Sequence, residues 1–525
     1  MEAQIKSWAP EYDAYLRDES RTVGQAESIS FPTSEAELRA VLSACAQRGT
    51  PVTVQGARTG LAAAAVPNGG HICNLSRMQR ILKMGESNGT FTITVQPGLP
   101  LSELRKAIAT RKMDVSSFDP DSQRAYIAFC KAQEQFFPPD PTEASASIGG
   151  MVACNASGAR SYRYGATRNH IAGFKLCLLD GQTLTLARGM YRAQGHTLTL
   201  RTDQGRTLCV PVPSYAVPAT KNTSGYCAQP DMDAVDLFIG SDGTLGVFSE
   251  LTLALSPLPR VIWGVTCLLP DESCAIALVQ ALRKKELGIA ALEYFDGHAL
   301  DVLREQKRTH PGFAELPALA PEIGAALYVE LHAEDEAAAQ RALLCVGEQL
   351  QLAGGDERTT WVARNQSELD KLLFFRHAVP ESVNLLIDRR KQVHPGITKL
   401  GSDMAVCDAD LPAIMEIYRK SAVELGLQTA TWGHIGNNHV HVNVLPRDME
   451  DYQKGKVLFA RWAQIITDMG GAVSAEHGVG KLKADYLAIM YDTGALEQMR
   501  AVKRVLDPQY LLGVGTMFAK EEKKA

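Results

Sequence analysis

The sequence predicts an α+β protein with more than one domain. Short strand-like runs, a hairpin signal and clusters of small residues fill the first half, and strand-like and helix-like runs alternate from Val261 onward. A chain of 525 residues is longer than one hydrophobic core usually serves, so two or three domains are expected. Pro257 and Pro259 mark the expected boundary between the two halves.

The composition argues against several functional classes. The chain has 54 basic and 59 acidic residues and a formal net charge of −5, which does not suit a nucleic-acid-binding surface. No apolar run is long enough for a membrane span and the N-terminus has no signal-peptide core, so we expect a cytoplasmic protein. The 11 cysteines show no C-x-x-C spacing, so we interpret them as reduced thiols and expect no iron–sulfur cluster.

In the first half, the clearest helix signal follows Thr33 and Ser34, either of which would cap a helix with an acidic first turn that Gly49 ends. Asp180-Gly181 is a strong hairpin signal between two apolar runs. The predicted elements are a helical lead-in at 1–25, helices at 34–48, 101–110 and 122–135, strands at 29–32, 51–54, 71–76 and 90–95, and hairpin strands at 171–179 and 182–186.

The second half is predicted to be a ferredoxin-like α+β sandwich followed by helices, because its apolar runs alternate between the strand and the helix period. The predicted strands are 261–269, 290–295, 325–331 and 440–444, and the predicted helices are 272–287, 334–352, 452–469 and 494–506.

Three segments rich in Gly, Ala and Ser predict a large ligand that is bound by backbone groups. They cover residues 55–65, 145–158 and 238–246, and small residues allow backbone N–H groups to approach an anion closely. The sequence has no G-x-G-x-x-G after a strand and no P-loop, so FAD fits the pattern better than NAD. The first segment alone is equally compatible with a plain turn between a strand and a helix.

Histidines concentrate near the C-terminus. Of the 12 in the chain, four fall between positions 434 and 477, and a carboxylate, Glu476, precedes the last. Imidazole and carboxylate together suit a borderline divalent cation, although histidines in a Gly/Asn-rich turn are also often solvated or capping residues. Val440, Val442 and Val444 alternate with polar residues, which predicts a half-buried strand with its polar face toward a site.

Taken together, these segments resemble the family of FAD-linked oxidases and dehydrogenases with the vanillyl-alcohol-oxidase (PCMH) fold, the group of glycolate oxidase D-subunit, D-lactate dehydrogenase and D-2-hydroxyglutarate dehydrogenase. The resemblance runs from about residue 29 to 518. Its carriers are Pro138-Pro139-Asp140-Pro141, Ser147-Ile148-Gly149-Gly150, Asn155-Ala156-Ser157-Gly158, Arg163-Tyr164-Gly165, residues 240–246 and 474–480, Leu506-Asp507-Pro508 and Met517-Phe518.

The resemblance implies a lead-in at 1–22, a two-subdomain PCMH-type FAD-binding domain at 23–258, and a ferredoxin-like cap domain with a C-terminal helical segment at 259–520. It also implies which residues bind the flavin: Gly56, Ala57, Arg58, Thr59, Gly60 and Leu61 at the pyrophosphate, and Pro139, Ser147, Gly149, Gly150, Asn155, Gly158 and Gly243 along the rest. No histidine stands in the first loop where covalently flavinylated relatives carry one, so the resemblance implies non-covalent FAD.

In metal-dependent members of this family, the positions of His434, His441 and Glu476 hold a divalent metal, here Zn, Mn or Fe, and His477 stands at the position of the catalytic base. The resemblance also implies three substrate-binding residues, Arg376, Lys399 and Asn443, although the local sequence match at Lys399 is loose.

Three features depart from the family pattern. The usual G-D-G-N reads Gly436-Asn437-Asn438-His439, so His439 could be an extra ligand, a second base or a polar neighbour, of which we favour the neighbour. Arg58 and the alanines after it replace commoner Gly and Ser-Gly-Gly. The segment 113–136 is longer than in most relatives, and no role is predicted for it.

The activity that the resemblance implies is oxidation of a small D-2-hydroxy acid to its 2-oxo acid, with electrons passed to a quinone, a cytochrome or an electron-transfer flavoprotein. The expected location is the cytoplasm or the inner-membrane periphery, and a homodimer is expected. Three alternatives stay open: an oxidase that uses O2, a non-redox enzyme of the alkyl-dihydroxyacetone-phosphate synthase type, and a flavin- or metal-storage module.

Overall fold

The computed structural model describes residues 4–518, and the predicted segments at 1–3 and 519–520 lie outside this range. Residues 4–25 do not form the predicted lead-in helix. They hold a two-residue strand and a short 3-10 helix, Pro10–Leu16, which has no side-chain cap. This prediction was wrong, since the segment lies across the first sheet and Lys6 pairs with Ile29 as an edge strand.

Within the described range, the first half contains one mixed four-stranded sheet, one antiparallel five-stranded sheet and two two-stranded sheets, together with helices. Its strands are β1 (Lys6–Ser7), β2 (Ser28–Ser30), β3 (Val52–Gln55), β4 (His71–Asn74), β5 (Ile81–Ser87), β6 (Thr90–Val95), β7 (Gln135–Phe136), β8 (Ile171–Cys177), β9 (Thr183–Ala187), β10 (Thr197–Arg201), β11 (Thr207–Pro211), β12 (Val247–Ala254) and β13 (Ser256–Pro257). Its helices are α1 (Glu35–Arg48), α2 (Leu101–Thr110), α3 (Pro120–Lys131), α4 (Ile148–Cys154), α5 (Ser161–Tyr164) and α6 (Ala234–Phe238).

The second half is built on one large antiparallel sheet. Its strands are β14 (Val261–Leu269), β15 (Ile289–Asp296), β16 (Ala325–Ala333), β17 (Trp361–Ala363), β18 (Leu400–Gly401), β19 (Met404–Ala405), β20 (Thr429–Gly433) and β21 (His439–Val444). Its helices are α7 (Glu272–Arg283), α8 (Gly297–Thr309), α9 (Glu336–Leu352), α10 (Gln366–Lys391), α11 (Leu411–Glu424), α12 (Met449–Asp468), α13 (Ala484–Met490) and α14 (Thr493–Leu506).

The sheet orders confirm the α+β prediction. Over the described residues, the first sheet runs β1-β2-β4-β3, with β2, β4 and β3 parallel, and the second runs β5-β6-β12-β8-β9, all antiparallel. The large sheet runs β17-β14-β16-β15-β20-β21-β18. Its first four strands in chain order therefore stand in the spatial order 4-1-3-2, with α7 and α9 after the first and third, which is the ferredoxin-like pattern that the sequence predicts.

Local signals explain why several elements begin and end where they do. Ser34 caps α1 by accepting from the N–H of Glu37, and Gly49 ends it in the left-handed region at φ +62°. Asp180 and Gly181 join β8 to β9 as the hairpin signal predicts, with Gly181 at φ +81°.

The C-terminal segment returns to the first half of the chain. Val479, Met499 and Leu506 are buried with apolar residues of the β5–β9 sheet, and Lys503 donates to the backbone carbonyl of Thr244 at 2.8 Å. Residues 474–483 connect the second half to the first small-residue segment, because the N–H of Ala475 donates to the carbonyl of Asp403 and the N–H of Lys481 to the carbonyl of Ala62. The predicted division of the chain at 258 stays a prediction. No helix between residues 4 and 518 is both long and apolar enough to cross a membrane.

Candidate active site

The three small-residue segments meet around one cleft. The space inside it, including the part that is open to solvent, is about 1400 Å³. Ten of the predicted flavin contacts line it: Gly56, Ala57, Arg58, Thr59, Gly60, Leu61, Ser147, Gly149, Gly150 and Gly243. The lining is predominantly apolar, as the small residues require.

Ser147 ties two of these segments together. Its Oγ accepts from the N–H of Gly150 at 3.3 Å as the cap of α4, and from the N–H of Ala57 at 3.3 Å in the loop after β3. A Cβ on Gly56 would lie 2.0 Å from this Oγ, so the loop approaches α4 closely only because residue 56 is glycine. The helix α4 was not among the predicted elements, since its seven residues are too rich in glycine to show a helical period.

The remaining three predicted flavin contacts do not line the cleft. The carbonyl of Pro139 accepts from Arg105, and the amide oxygen of Asn155 accepts from the N–H of Arg168. Gly158 packs on the backbone of the Pro-Pro-Asp-Pro segment, where a Cβ would lie 2.0 Å from the carbonyl oxygen of residue 140. These three residues make contacts with the protein itself and are not among the residues that line the cleft.

The histidine cluster forms where β20 ends and β21 begins. His434 follows β20, a 3-10 turn over Ile435–Asn437 reverses the chain, and Asn438 takes the left-handed conformation at φ +54°. This turn brings His434 back to the face of β21 that carries His439 and His441, as the Gly- and Asn-rich sequence predicts. Ligand atoms of His434, His439, His441 and Glu476 all lie within 4.8 Å of one another.

His434 and His441 are oriented by acceptors behind their rings. Nδ1 of His434 lies 2.7 Å from Oε1 of Glu293, and Nδ1 of His441 lies 3.0 Å from the carbonyl oxygen of Ser402. Because carboxylates and carbonyls only accept, both Nδ1 atoms carry a proton. The Nε2 of His441 is left with its lone pair, and the Nε2 of His434 lies 3.2 Å from Oε2 of Glu476. This arrangement is typical of metal-binding histidines.

Burial and neighbouring charge set the protonation of the cluster. Burial raises the pKa of Glu476, but the Lys221 ammonium at 2.7 Å and His434 outweigh it and hold the pKa well below its usual range. Burial lowers the pKa of His434, and the carboxylates of Glu293 and Glu476 reverse this and raise it to about 9. Without a metal, the carboxylates are therefore ionised and His434 is protonated, so a divalent ion bound here would displace the proton on Nε2 of His434.

His477 joins the cluster to the cleft. Its ring is parallel to that of His441, with 2° between the planes and 5.3 Å between the centroids, and both His477 and Glu476 line the cleft. Burial lowers the pKa of His477 to about 4, against the opposing effect of Asp403, so the imidazole is neutral near pH 7. A neutral imidazole facing the cleft is able to accept a proton.

Asp403 holds the backbone of the Glu476–His477 segment. Its carboxylate accepts from the N–H of Glu476 at 3.1 Å, from the N–H of His477 at 3.0 Å and from the hydroxyl of Ser474 at 2.9 Å, and Lys483 contacts it as well. Gly478 and Gly480, at φ +76° and +52°, turn the chain after this pair, which confirms the predicted bend.

The other predicted substrate residues occupy different surroundings. Arg376 lies near the cluster, since its Nε is 3.4 Å from Oε2 of Glu293. The ammonium of Lys399 lies 5.7 Å from the centre of the Trp432 ring. Asn443 is buried, and its amide donates to the carbonyl of His441 at 2.8 Å. Of the three, the structure places Arg376 beside the cluster.

Sequence reasoning missed four charged residues of this site: Lys221, Glu293, Asp403 and Lys483. Lys221 and Glu476 are 255 positions apart, and no local pattern connects them. Glu293 did carry a signal, because it interrupts the apolar run of β15, whose other carboxylate, Asp296, is the last residue of the strand.

The residues present fit both a flavin and a metal ion. A Cβ on Gly60 would meet nothing within 4 Å, which leaves open space beside the loop, and all three small-residue segments contribute to the cleft. For the metal, imidazole and carboxylate donors converge, and both ring nitrogens of His439 are buried without a well-aligned hydrogen bond among the described residues.

Comparison with known families matches most of the chain. Residues 26–125 and 124–187 match the model of the FAD binding domain, and residues 258–516 match the model of the FAD linked oxidases, C-terminal domain. The chain is 27% identical to the D-lactate dehydrogenase of Anaerostipes hadrus, with 96% of this chain and 93% of the relative covered. It is 27% identical to the D-2-hydroxyglutarate dehydrogenase of Stutzerimonas stutzeri (97% and 95%) and 24% identical to glycolate oxidase subunit GlcD of Bacillus subtilis (95% and 90%).

Solved structures with the same fold include p-cresol methylhydroxylase, with a TM-score of 0.67, 14% identity and coverage of 98% of this chain and 94% of that one. Alkyldihydroxyacetonephosphate synthase follows with a TM-score of 0.62, 15% identity and coverage of 97% and 82%. At these identities the likeness shows the fold alone, and it confirms the predicted PCMH-type FAD-binding fold.

Proposed function

The chain belongs to the family of FAD-linked oxidases, and from this premise we propose that it oxidises a small D-2-hydroxy acid to the 2-oxo acid. One observation carries the proposal: Glu476 and His477 line the flavin cleft and also contact the histidine cluster. A substrate held at the cluster would thus lie beside both a base and the flavin.

The loop at 56–61, with Ser147, Gly149, Gly150 and Gly243, would hold the flavin, and His434, His441 and Glu476 would hold the metal. When bound, FAD supplies a hydride acceptor and the divalent ion supplies Lewis acidity that lowers the pKa of the substrate hydroxyl. The small residues of the loop let the backbone approach the cofactor.

His477 takes the hydroxyl proton in this proposal. The neutral imidazole that burial favours is the form a base needs, and the backbone contacts of Asp403 fix the position of the segment that carries it. A positioned base of this type contributes typically about 10²–10⁴-fold to the rate. A bound FAD would accept the hydride from the substrate carbon, which would leave the 2-oxo acid.

Arg376 would bind the substrate carboxylate. Its pKa is raised, because the carboxylates of Glu293 and Asp140 outweigh its burial, so the guanidinium stays charged. A guanidinium can hold a carboxylate with two parallel hydrogen bonds, which a lysine ammonium cannot do. Lys399 and Asn443 remain proposed as further substrate contacts.

The relatives support the substrate class. D-lactate, glycolate and D-2-hydroxyglutarate, which appear in their names, all have a hydroxyl on the carbon next to a carboxylate. We therefore propose a 2-hydroxy acid and, as electron acceptor, a quinone, a cytochrome or an electron-transfer flavoprotein. The synthase neighbour supports the fold only, since its identity is 15%.

Replacement of His477 tests the proposal. We expect His477→Ala to keep FAD bound and to lose flavin reduction by a D-2-hydroxy acid by at least about 100-fold. His71→Asn, which removes a buried imidazole from β4, is the control and should reduce normally. Flavin reduction at the wild-type rate in His477→Ala would overturn the assignment of the base.

A further inference from the structure

We propose that His439 is a fourth protein ligand of the metal ion, so that the centre has three imidazoles and one carboxylate. This inference rests on the proposed function, because it assumes that the cluster holds a divalent ion. It goes further in assigning a ligand that the family pattern does not have and in restricting which ions can serve the reaction.

The position of His439 in β21 places its ring among the other ligands. His439 and His441 are two residues apart on one strand, so their side chains share a face, and their ring centroids are 4.5 Å apart. The ring of His434 is 5.5 Å away. Nδ1 of His439 lies 3.4 Å from Oε2 of Glu476, the same oxygen that lies 3.2 Å from Nε2 of His434.

His439 also has an acceptor behind its ring, as the other two histidines do. Its Nε2 lies 3.0 Å from Oδ1 of Asp403, which is shorter than the 3.4 Å between Nδ1 and Oε2 of Glu476, so the proton is assigned to Nε2 and the lone pair to Nδ1, which faces the cluster. His434 is backed by Glu293 and His441 by the carbonyl of Ser402. An acceptor that fixes the ring and its tautomer is the usual accompaniment of a metal-binding histidine.

The burial of His439 distinguishes a ligand from a polar neighbour. Its side chain is fully buried, and Nδ1, the nitrogen that faces the cluster, makes no well-aligned hydrogen bond with the described residues. A buried polar atom without a partner is unfavourable, and a metal bond to Nδ1 would satisfy it. A polar neighbour would be expected to have its hydrogen bonds complete.

Four protein ligands restrict the choice of ion. Four protein ligands would fill every coordination position of a tetrahedral zinc ion, as they do in structural zinc sites. A substrate that binds the ion through its hydroxyl and its carboxylate needs two further positions. An ion that accepts six ligands, such as Mn²⁺, Fe²⁺ or Co²⁺, provides both. Metal–nitrogen bonds of about 2.1 Å allow ligand atoms at most about 4.2 Å apart, so the 4.8 Å spread requires only a small contraction.

The test uses the full-length, flavin-loaded protein after metal removal by a chelator, reloaded with Co²⁺. X-ray absorption at the cobalt edge counts imidazole ligands, and we expect three in the wild type and two in His439→Asn. Calorimetric titration should show weaker Co²⁺ binding in His439→Asn, by more than the about 10–100-fold that loss of an outer hydrogen-bond partner costs. His71→Asn is the matched control and should keep three imidazoles and the wild-type affinity.

Two imidazoles in the wild type, or equal affinity in wild type and His439→Asn, would overturn the inference and leave the three-ligand centre of the proposed function intact. The wild-type count does not depend on whether the variant folds. If the wild type binds no Co²⁺, Mn²⁺ or Zn²⁺, the metal centre itself is wrong, and this inference falls with it.

Discussion

The ammonium of Lys221 lies 2.7 Å from Oε2 of Glu476, with the two side chains only 8% and 9% exposed. The same oxygen faces His434 and His439. Lys221 therefore places a fixed positive charge next to the carboxylate that a metal ion would share. Two positive groups on one buried carboxylate repel each other strongly, because little water screens them.

We expect Lys221→Met to bind Mn²⁺ about 10-fold or more tightly than the wild type, because the repulsion is removed. Calorimetric titration of the chelator-treated protein measures this. Lys503→Met is the matched control, since Lys503 is also buried and paired with a carboxylate, Asp507, at 2.9 Å. The Lys503→Met variant should be less stable than the wild type but should bind Mn²⁺ with the same affinity. Weaker Mn²⁺ binding by Lys221→Met would show instead that Lys221 is needed to orient Glu476.

Asp403 is the charged residue on which the Glu476–His477 segment depends. Its carboxylate is fully buried and contacts Lys483, whose side chain is 13% exposed. Asp403→Asn leaves that ammonium without its partner, so we expect a loss of about 3–5 kcal/mol in the free energy of unfolding. Thermal and urea unfolding of the flavin-loaded protein measure the loss.

Lys483→Met in the Asp403→Asn background provides the control for this pair. Because the second change removes the unpaired charge, the double variant should be more stable than the sum of the two single losses predicts. Additive losses would mean that the two residues do not interact, contrary to the contact in the structure.

The contact between Gly56 and Ser147 predicts a second non-additive pair. Ser147→Ala removes the cap of α4 and should cost about 1 kcal/mol. Gly56→Ala forces the Ser147 hydroxyl out of the same position, so it should cost about as much in the wild type and clearly less in the Ser147→Ala background. Thermal unfolding measures both. Equal costs in the two backgrounds would contradict the close approach of the loop to α4.

The sequence was sufficient for the parts of the site that lie close together along the chain. His434, His441, Glu476 and His477 fall within two short segments, and the turn between the first two is encoded by Gly436 and Asn438. The outer partners could not be found in this way, because the fold brings Asp403, Lys221 and Glu293 to the cluster from separate elements. His439 needed the structure to show that its ring faces His434, His441 and Glu476.

The same limit applies to the fold. The α+β class, the hairpin at Asp180-Gly181 and the ferredoxin-like character of the second half agree with the predictions. The 26-residue helix α10 was missed because Pro380 lies inside it and because its apolar residues show little helical period. Tertiary packing of Phe375, Val379 and Val383 against the large sheet compensates for the proline.

The burial of His71 leads us to expect that the folded protein loses stability in mild acid. Its ring is fully buried between the hydroxyls of Ser28 and Ser30, and burial, with a smaller effect of Arg48, lowers its pKa from 6.5 to about 4. The unfolded chain binds a proton at His71 below pH 6.5, and the folded protein does not until about pH 4. The contribution of the neutral His71 ring to the free energy of unfolding is therefore fully present above pH 6.5, and it is lost as the pH falls toward 4.

We expect His71 to make the folded state roughly 2 kcal/mol less favourable at pH 5 than at pH 7. The decrease in the thermal midpoint between these pH values should be smaller in His71→Asn than in the wild type. Other buried histidines titrate alike in both proteins, so the difference isolates His71. An equal decrease in both proteins would contradict the lowered pKa.

Anaerobic reduction of the bound flavin is the most direct test of the proposed reaction. The purified protein is mixed with D-lactate, glycolate, D-malate or D-2-hydroxyglutarate, with and without prior chelator treatment, and absorbance near 450 nm is followed. We predict that at least one of these acids bleaches the flavin and that chelator treatment slows the bleaching until a divalent ion is restored. A flavin that none of the four acids bleaches in the metal-loaded protein would contradict the proposed function.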